Sequence, residues 1–384
     1  MAGNMKFSHA VGYRGLCSIQ PKGDEKATVL LCTGGNINLT QDPIMSGGVW
    51  GAGYANAAPI AYAFNYLSLE GTVNFEWVNN KKVWEALRKF AFIDRTDATT
   101  VHMLPDGANG FHGDGWCSSI SFEASEGAAL TGSMNFKGDP SDEEGGIVSN
   151  DDVRNLGLKK PDDWEGDYVS NNIEKLGIST INRLDGQNQN DKLKFGTGYN
   201  GVNLAGATLI PYWNTKVSTY DKVAGFKEVD DVINWSCSYN SDLQVLKCCS
   251  YGKNLNEETQ TPIGADYILC GEMSGEGSLT VFALRESGAC SFAPTGFHTR
   301  KNYLTFTLGG FQDSWDINSN DTGTPMWVTV PNALINSGST AMATGASYIT
   351  CDYSFTAIGD GVNSVMMMSG SDNTSATPNI TQGA

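Results

Sequence analysis

Positive charge is scarce in this chain. Lys and Arg number 25 against 42 Asp and Glu, a formal net charge of −17, which argues against a nucleic-acid binder because displacing phosphate counterions takes clustered cations. An acidic wall can still face DNA without holding it. Long apolar runs are missing too. No stretch reaches the roughly 18 to 20 residues that a membrane-spanning helix needs, and "MAGNMKFSHAVGYRGLC" lacks the basic start and apolar block of a signal peptide. The chain therefore reads as soluble and unexported, with no membrane span, and the sequons at Asn38 and Asn379 read as chance matches.

Metal and catalytic signatures are equally thin. His102 and His112 are the closest pair of the four histidines, and they stand with Asp106, Asp114 and Cys117 in a Gly-rich stretch whose spacing matches no metal-ligand pattern. The nine cysteines contain no CxxC, so zinc is not expected. Many sit in apolar contexts such as "LLCTG", "YILCGE" and "YITCDY", where a free thiol behaves as a small buried hydrophobe. The odd count leaves at least one unpaired, or paired between chains. "TGGNINLT" lacks the Lys of a phosphate-binding loop, "PDGANGFHGDG" lacks the bidentate Glu of an EF-hand, and "SGEGS" is no strand-to-helix elbow. The expectation is no catalytic residue, no cofactor and no metal. Paired carboxylates in so acidic a chain keep a glycosidase as a remote third reading.

What the chain does have is glycine, 45 copies, with only 17% charged residues. That balance belongs to turn-rich strand proteins, so the expected fold class is mainly β or α+β. At 384 residues the chain exceeds the size, about 250 to 300 residues, at which single cores stop growing.

Along the chain, "YRGLCSIQ" and "KATVLLCTGGNINLTQD" read as short strands, followed by a Gly- and Ala-rich stretch, "PIMSGGVWGAGYANAAPIAY", expected as a long loop ordered by a partner. "FNYLSLEGTVNFEWV" alternates on either side of Glu70-Gly71, which reads as a hairpin turn. Val83, Trp84, Leu87, Phe90 and Ala91 then fall at helical spacing, so a helix is expected from Lys81 to Phe92. "SISFEASEGAALTGSMNFKG" reads as two strands around Gly127. Residues 139–200 are acidic and rich in Pro and Gly, an expected surface linker or insertion with one helical stretch at "SNNIEKLGISTINRL".

The second half restates the first. "DVINWSCSYNSDLQVLKCCSYG" reads as a hairpin around Asn240 and Ser241, and "TPIGADYILCGEMSGEGSLTVFAL" as strand, Glu276-Gly277 turn and strand. Aligning Glu70-Gly71 on Glu276-Gly277 sets Ser68 against Ser274 and Val73 against Leu279, within a matching succession of events. The helix counterpart is weak, since "RESGACSFAPTG" holds Gly288 and Pro294. "YLTFTLGGFQDSWDI" and "ASYITCDYSFTAIGDG" supply final strands, the latter echoing "ALTGSMNFKGDP". The expected division is a β domain over 1–138, the acidic insertion over 139–200, a second β domain over 201–361 and a polar tail over 362–384 that is mobile or settles only in an assembly.

The phrases "APIAYAFNYLSLEGTVNFEW", "VWEALRKFAFIDR" and "SISFEASEGAALTGSMNFKG" resemble the tail tube proteins of tailed bacteriophages. The resemblance implies two tandem β-sandwich or barrel-like domains, each with a flanking helix, whose sheets join side by side into rings stacked as a hollow tube. DNA would pass the acidic lumen without specific binding, and the protein would be a virion component made in the host cytoplasm. By position, the stretch from Met45 to Ala58, with Val49, Trp50 and Tyr54, corresponds to a loop meeting a neighbouring subunit or ring. Glu70, Gly71, Glu276 and Gly277 are the other contact candidates. A chain with two such domains closes a pseudo-sixfold ring from three copies, the preferred reading; a hexamer with the second domain outside is the alternative. Sheath and baseplate proteins would be further partners. A carbohydrate- or receptor-binding tail module using the nine Trp and fourteen Tyr is the competing function.

Overall fold

A computed structural model describes, short gaps aside, residues 16–45, 62–138, 209–247, 267–283, 302–311, 324–341, 349–359 and 366–370. The acidic stretch 139–200 and the expected second helix near Gly288 lie outside them. The first half forms β1 (Leu16–Gln20), β2 (Thr28–Val29), β3 (Leu31–Thr40), β4 (Pro43–Met45), β5 (Tyr62–Phe64), β6 (Ser68–Glu76), α1 (Lys81–Arg88), β7 (Thr99–Leu104), β8 (Phe111–Ala124) and β9 (Thr131–Gly138). The second forms β10 (Thr215–Asp221), β11 (Gly225–Glu228), β12 (Val232–Leu246), β13 (Tyr267–Phe282), β14 (Asn302–Phe311), β15 (Thr324–Ala341), β16 (Thr350–Ala357) and β17 (Met367–Gly370).

Period-two patterning makes the strands. In β6, Leu69, Val73 and Phe75 are buried while Glu70 and Asn74 are exposed, the alternation a half-buried strand requires. Helical spacing makes α1, which continues as a π-turn over Lys89–Ile93. Val83, Trp84, Leu87 and Phe90 bury one face, and the Trp84 ring lies 5.5 Å from Trp77 and 6.2 Å from Phe122. Lys89, on the other face, pairs with Asp24 between β1 and β2. The helix is therefore fixed as a cover over the first half's core.

Among the described residues, fifteen strands join one antiparallel sheet that does not close, and β4 and β5 pair separately. The mainly β expectation holds. Within the first half the sheet folds back on itself: a Cβ at Gly35 of β3 would come within 2.6 Å of the Met103 methyl of β7, a strand it does not pair with. Three expectations need correction. β6 runs straight through Glu70-Gly71, β13 through Glu276-Gly277, and β12 through Asn240-Ser241 with only a register shift between Ser241 and Leu243. Glycine inside a strand here marks a close approach rather than a turn. The tail is corrected in part as well, since β17 pairs with Met326–Thr329 of β15 and buries Met366 and Met368.

The two halves share one strand order, β3-β6-β9-β8-β7-β1-β2 in the first and β12-β13-β16-β15-β14-β10-β11 in the second. The match extends to register. Gly71 pairs with Phe136, and Gly277 with Phe355; Phe136 pairs with Cys117, and Phe355 with Ile335. A register shift follows each of those partners, at Cys117/Ser119 and Ile335/Ser337, and another pair sits at Cys32/Gly34 and Val232/Asn234. Backbone bonds repeat too: Leu30 N donates to Cys17 O at 2.9 Å and Val229 N to Val217 O at 2.8 Å. Trp77 N donates to Leu130 O, and Ala283 N to Ile349 O, both at 2.9 Å. The duplication read from one phrase is thus a duplication of a seven-strand order, outside which β4, β5 and β17 stand.

Candidate assembly interface

The joint between the repeats has two parts. Ser119–Ala124 of β8 pair antiparallel with Trp235–Asn240 of β12, setting Ser121 opposite Ser238 and Ile120 opposite Tyr239. Beside this ladder, the chain entering the second half inserts between Trp77 and Leu130. Leu130 N donates to Ile210 O at 2.7 Å, Ile210 N to Trp77 O at 3.2 Å and Tyr212 N to Ala128 O at 3.0 Å. Ile210, Trp77 and Leu130 are all fully buried. Two cross-links brace the joint: Glu126 N donates to Asn234 Oδ1 at 2.9 Å and Lys137 Nζ to Leu243 O at 3.1 Å.

Among the described residues, the counterparts of these surfaces lie uncovered at the two extremes of the sheet. β3, the counterpart of β12, pairs only with β6 among the described residues. Cys32 to Asn36, Asn38 and Thr40 are exposed, whereas Ile233, Trp235, Cys237 and Tyr239 of the covered β12 are buried. β15, the counterpart of β8, pairs with β14 only up to Ala333 on one edge, and beyond it Asn336 to Ser339 are exposed. Ile349, the counterpart of Leu130, is 41% exposed. An unpaired strand edge presents backbone donors and acceptors ready for another chain.

The polar face of the sheet carries hydroxyl ladders through both halves. Ser121 and Ser133 meet at 2.8 Å, Asn135 donates to Ser119 at 2.6 Å, and Thr72 donates to Asn135 at 2.7 Å. Ser236 and Ser278 meet at 2.8 Å, and Thr280 donates to Asp352 at 2.7 Å. A shallow groove across the joint is lined by Ser121, Glu123, Ser236, Ser238 and Glu276 among others. Carboxylates outnumber cations there, and Lys137 is held 3.8 Å from Glu70. Such a surface offers a polyanion hydroxyls but little attraction.

Of the sequence-derived contact candidates, Met45 is 59% exposed beside an equally exposed Ile44, on the β4·β5 ladder. Val49, Trp50 and Tyr54 lie outside the described residues. Glu70 and Glu276 are exposed, but β6 lies between β3 and β9 and β13 between β12 and β16. A neighbour would reach them only across the sheet face. Gly71 and Gly277 sit under the rings of Phe136 and Phe355, where a Cβ would overlap. What the sequence reading missed is the edges: β15 was not anticipated, and Ile210 and Ile349 drew no attention. The signal available was the repeat itself, carried one strand further.

His102 and His112 pair directly across β7 and β8 rather than sharing a loop. Among the described residues no group of three or more His, Cys, Asp and Glu could hold a metal ion, and no helix is long and apolar enough to cross a membrane. Cys17, Cys117 and Cys237 are buried, and burial pushes the Cys237 thiol far up from its usual value. Cys32 is an exposed free thiol, and Cys351 is disulfide-bonded. These two depart from the buried-hydrophobe expectation.

No protein-family profile matches the chain, and no curated protein matches it. Among solved structures it is similar to the SPP1 tail tube, determined by solid-state NMR and cryo EM, at 11% identity with a TM-score of 0.22, covering 42% of this chain and 79% of that one.

Proposed function

We propose that the protein is a structural subunit that self-associates through its sheet edges into rings, stacked as the hollow tube of a phage tail. One observation carries this: the chain contains a finished joint between two repeats, and the counterparts of both strands of that joint recur without a strand partner among the described residues. A contact that is not self-complementary repeats head to tail and ends in a closed ring or a filament. Each copy contributes two units, so three copies supply a pseudo-sixfold ring. A hexamer carrying its second domain outside is the competing count.

In this reading the halves are two tube domains, 1–138 and 201–361, and the exposed Ile44 and Met45 lead toward a contact with the next ring. The hydroxyl and carboxylate face suits a lumen through which DNA passes without being held. Sheath and baseplate proteins are the outer partners, and the molecule works in the virion rather than as an enzyme. Negative-stain microscopy and native mass spectrometry of the purified protein test it. Rings or tubes containing three copies per ring are expected. A particle that stays monomeric as concentration rises into the range of milligrams per millilitre would overturn the proposal.

A further inference from the structure

The repeat equivalence does more than indicate that the edges associate; it specifies how. Resting on the assembly reading above, we infer that the joint between neighbouring copies is a register-for-register copy of the joint inside the chain, with β3 of one copy pairing antiparallel to the end of β15 of the next.

The register follows from matched positions. Inside the chain, Ser236 faces Glu123, Cys237 faces Phe122, Ser238 faces Ser121, Tyr239 faces Ile120 and Asn240 faces Ser119. Ile37 and Cys237 are counterparts because they pair with Gly71 and Gly277. Cys117 and Ile335 are counterparts because they pair with Phe136 and Phe355, and the same register shift follows each. Translating the five pairs sets Asn36 opposite Ala341, Ile37 opposite Thr340, Asn38 opposite Ser339, Leu39 opposite Gly338 and Thr40 opposite Ser337 of the neighbouring copy.

The chemistry of these residues fits the placement. Asn36, Asn38 and Thr40 continue the polar face on which Ser236, Ser238 and Asn240 stand, and opposite them Ser337 and Ser339 continue the hydroxyls of Ser119 and Ser121. Cross-strand hydroxyl and amide pairs add modestly to such ladders. In this register position 39 is the counterpart of the fully buried Tyr239 and falls opposite Gly338, which has no side chain to obstruct the approach. The second part of the joint is represented as well. The incoming copy covers Ile349 as Ile210 covers Leu130, which explains why a large apolar side chain stands 41% exposed at that point of the isolated chain. Both joints then impose the same rotation between successive units, so a closed ring contains an even number of them.

Paired cysteines test the register in the full-length protein. Directly opposed strand residues bring Cα atoms within about 4.5 to 5.5 Å, inside the range a disulfide spans. After mild oxidation of assembled Asn38→Cys/Ser339→Cys protein, a non-reducing gel should show a ladder of chain multiples absent from the unsubstituted protein. The offset pair Thr40→Cys/Ala341→Cys should show none. Assemblies in which the offset pair cross-links, or in which neither does, would overturn the register while leaving the assembly reading standing. Absence of any assembly from the unsubstituted protein would overturn both. Ile349→Lys provides the second measurement. It should raise the critical concentration for assembly about tenfold or more without moving the thermal midpoint of the unassembled chain, and unchanged assembly would remove Ile349 from the joint.

Discussion

Gly71 and Gly277 show how far a residue pair can be followed. Their shared Glu-Gly context aligns them from sequence and reads locally as a turn, whereas in the fold each glycine admits an aromatic ring from the next strand. The Phe136 and Phe355 rings lie where a Cβ would be, and an extra methyl in so tight a place costs about 1 to 3 kcal/mol. The two sites differ in what can yield. At Gly71 the nearest atoms all belong to the Phe136 side chain, whereas at Gly277 the Ser236 backbone carbonyl stands equally close. Gly277→Ala should therefore destabilise the chain more than Gly71→Ala in urea denaturation below the assembly concentration. Phe136→Leu should recover part of the Gly71→Ala loss and Phe355→Leu little of the Gly277→Ala loss. Equal losses and equal recoveries would show that the carbonyl does not matter.

At the scale of elements, legibility followed the strength of the local period. The helix was readable because Trp84, Leu87 and Phe90 repeat at helical spacing opposite charged residues, and no distant contact is needed to see it. β15 was not, because Pro331 and the run Asn336-Ser337-Gly338 look like punctuation. In the fold Pro331 falls where the β14·β15 register slips, between Val330 and Ala333, a place where a missing backbone donor is tolerated. The chain entering the second half is the element whose role only packing reveals. Ile210 is fully buried between Trp77 and Leu130, while Ile349 keeps its exposure. Ile210→Ala should cost about 2 to 4 kcal/mol and Ile349→Ala under about 1 kcal/mol in the unassembled chain, measured by equilibrium urea unfolding. Similar costs at both positions would mean that the second slot is already filled within one molecule.

For the molecule as a whole, the net charge of −17 opposes the assembly that the edges favour. The joining ladders carry no charged residue from Asn36 to Thr40 or from Ser337 to Ala341, so repulsion between copies is long-range and open to screening. Raising ionic strength from about 0.01 M to about 0.15 M shortens the Debye length from roughly 30 to 8 Å. The critical concentration for assembly, followed by sedimentation, should fall several-fold over that interval. A rise with salt would mean instead that attractive ion pairs hold the copies together.

The amino-acid sequence by itself determined the mainly β composition, the amphipathic helix beginning at Lys81, the acidic balance and the fact of a duplication. Each is written in local spacing or in residue counts, which need no knowledge of what lies across the fold. The tertiary structure decided that the Glu-Gly pairs are strand interiors, that both repeats belong to one sheet, and that β3 and the end of β15 are its edges without a strand partner among the described residues. Strand pairing is non-local. Whether a hydrogen-bonding edge is covered depends on where a partner some hundred residues away, such as β12 beside β8, comes to rest.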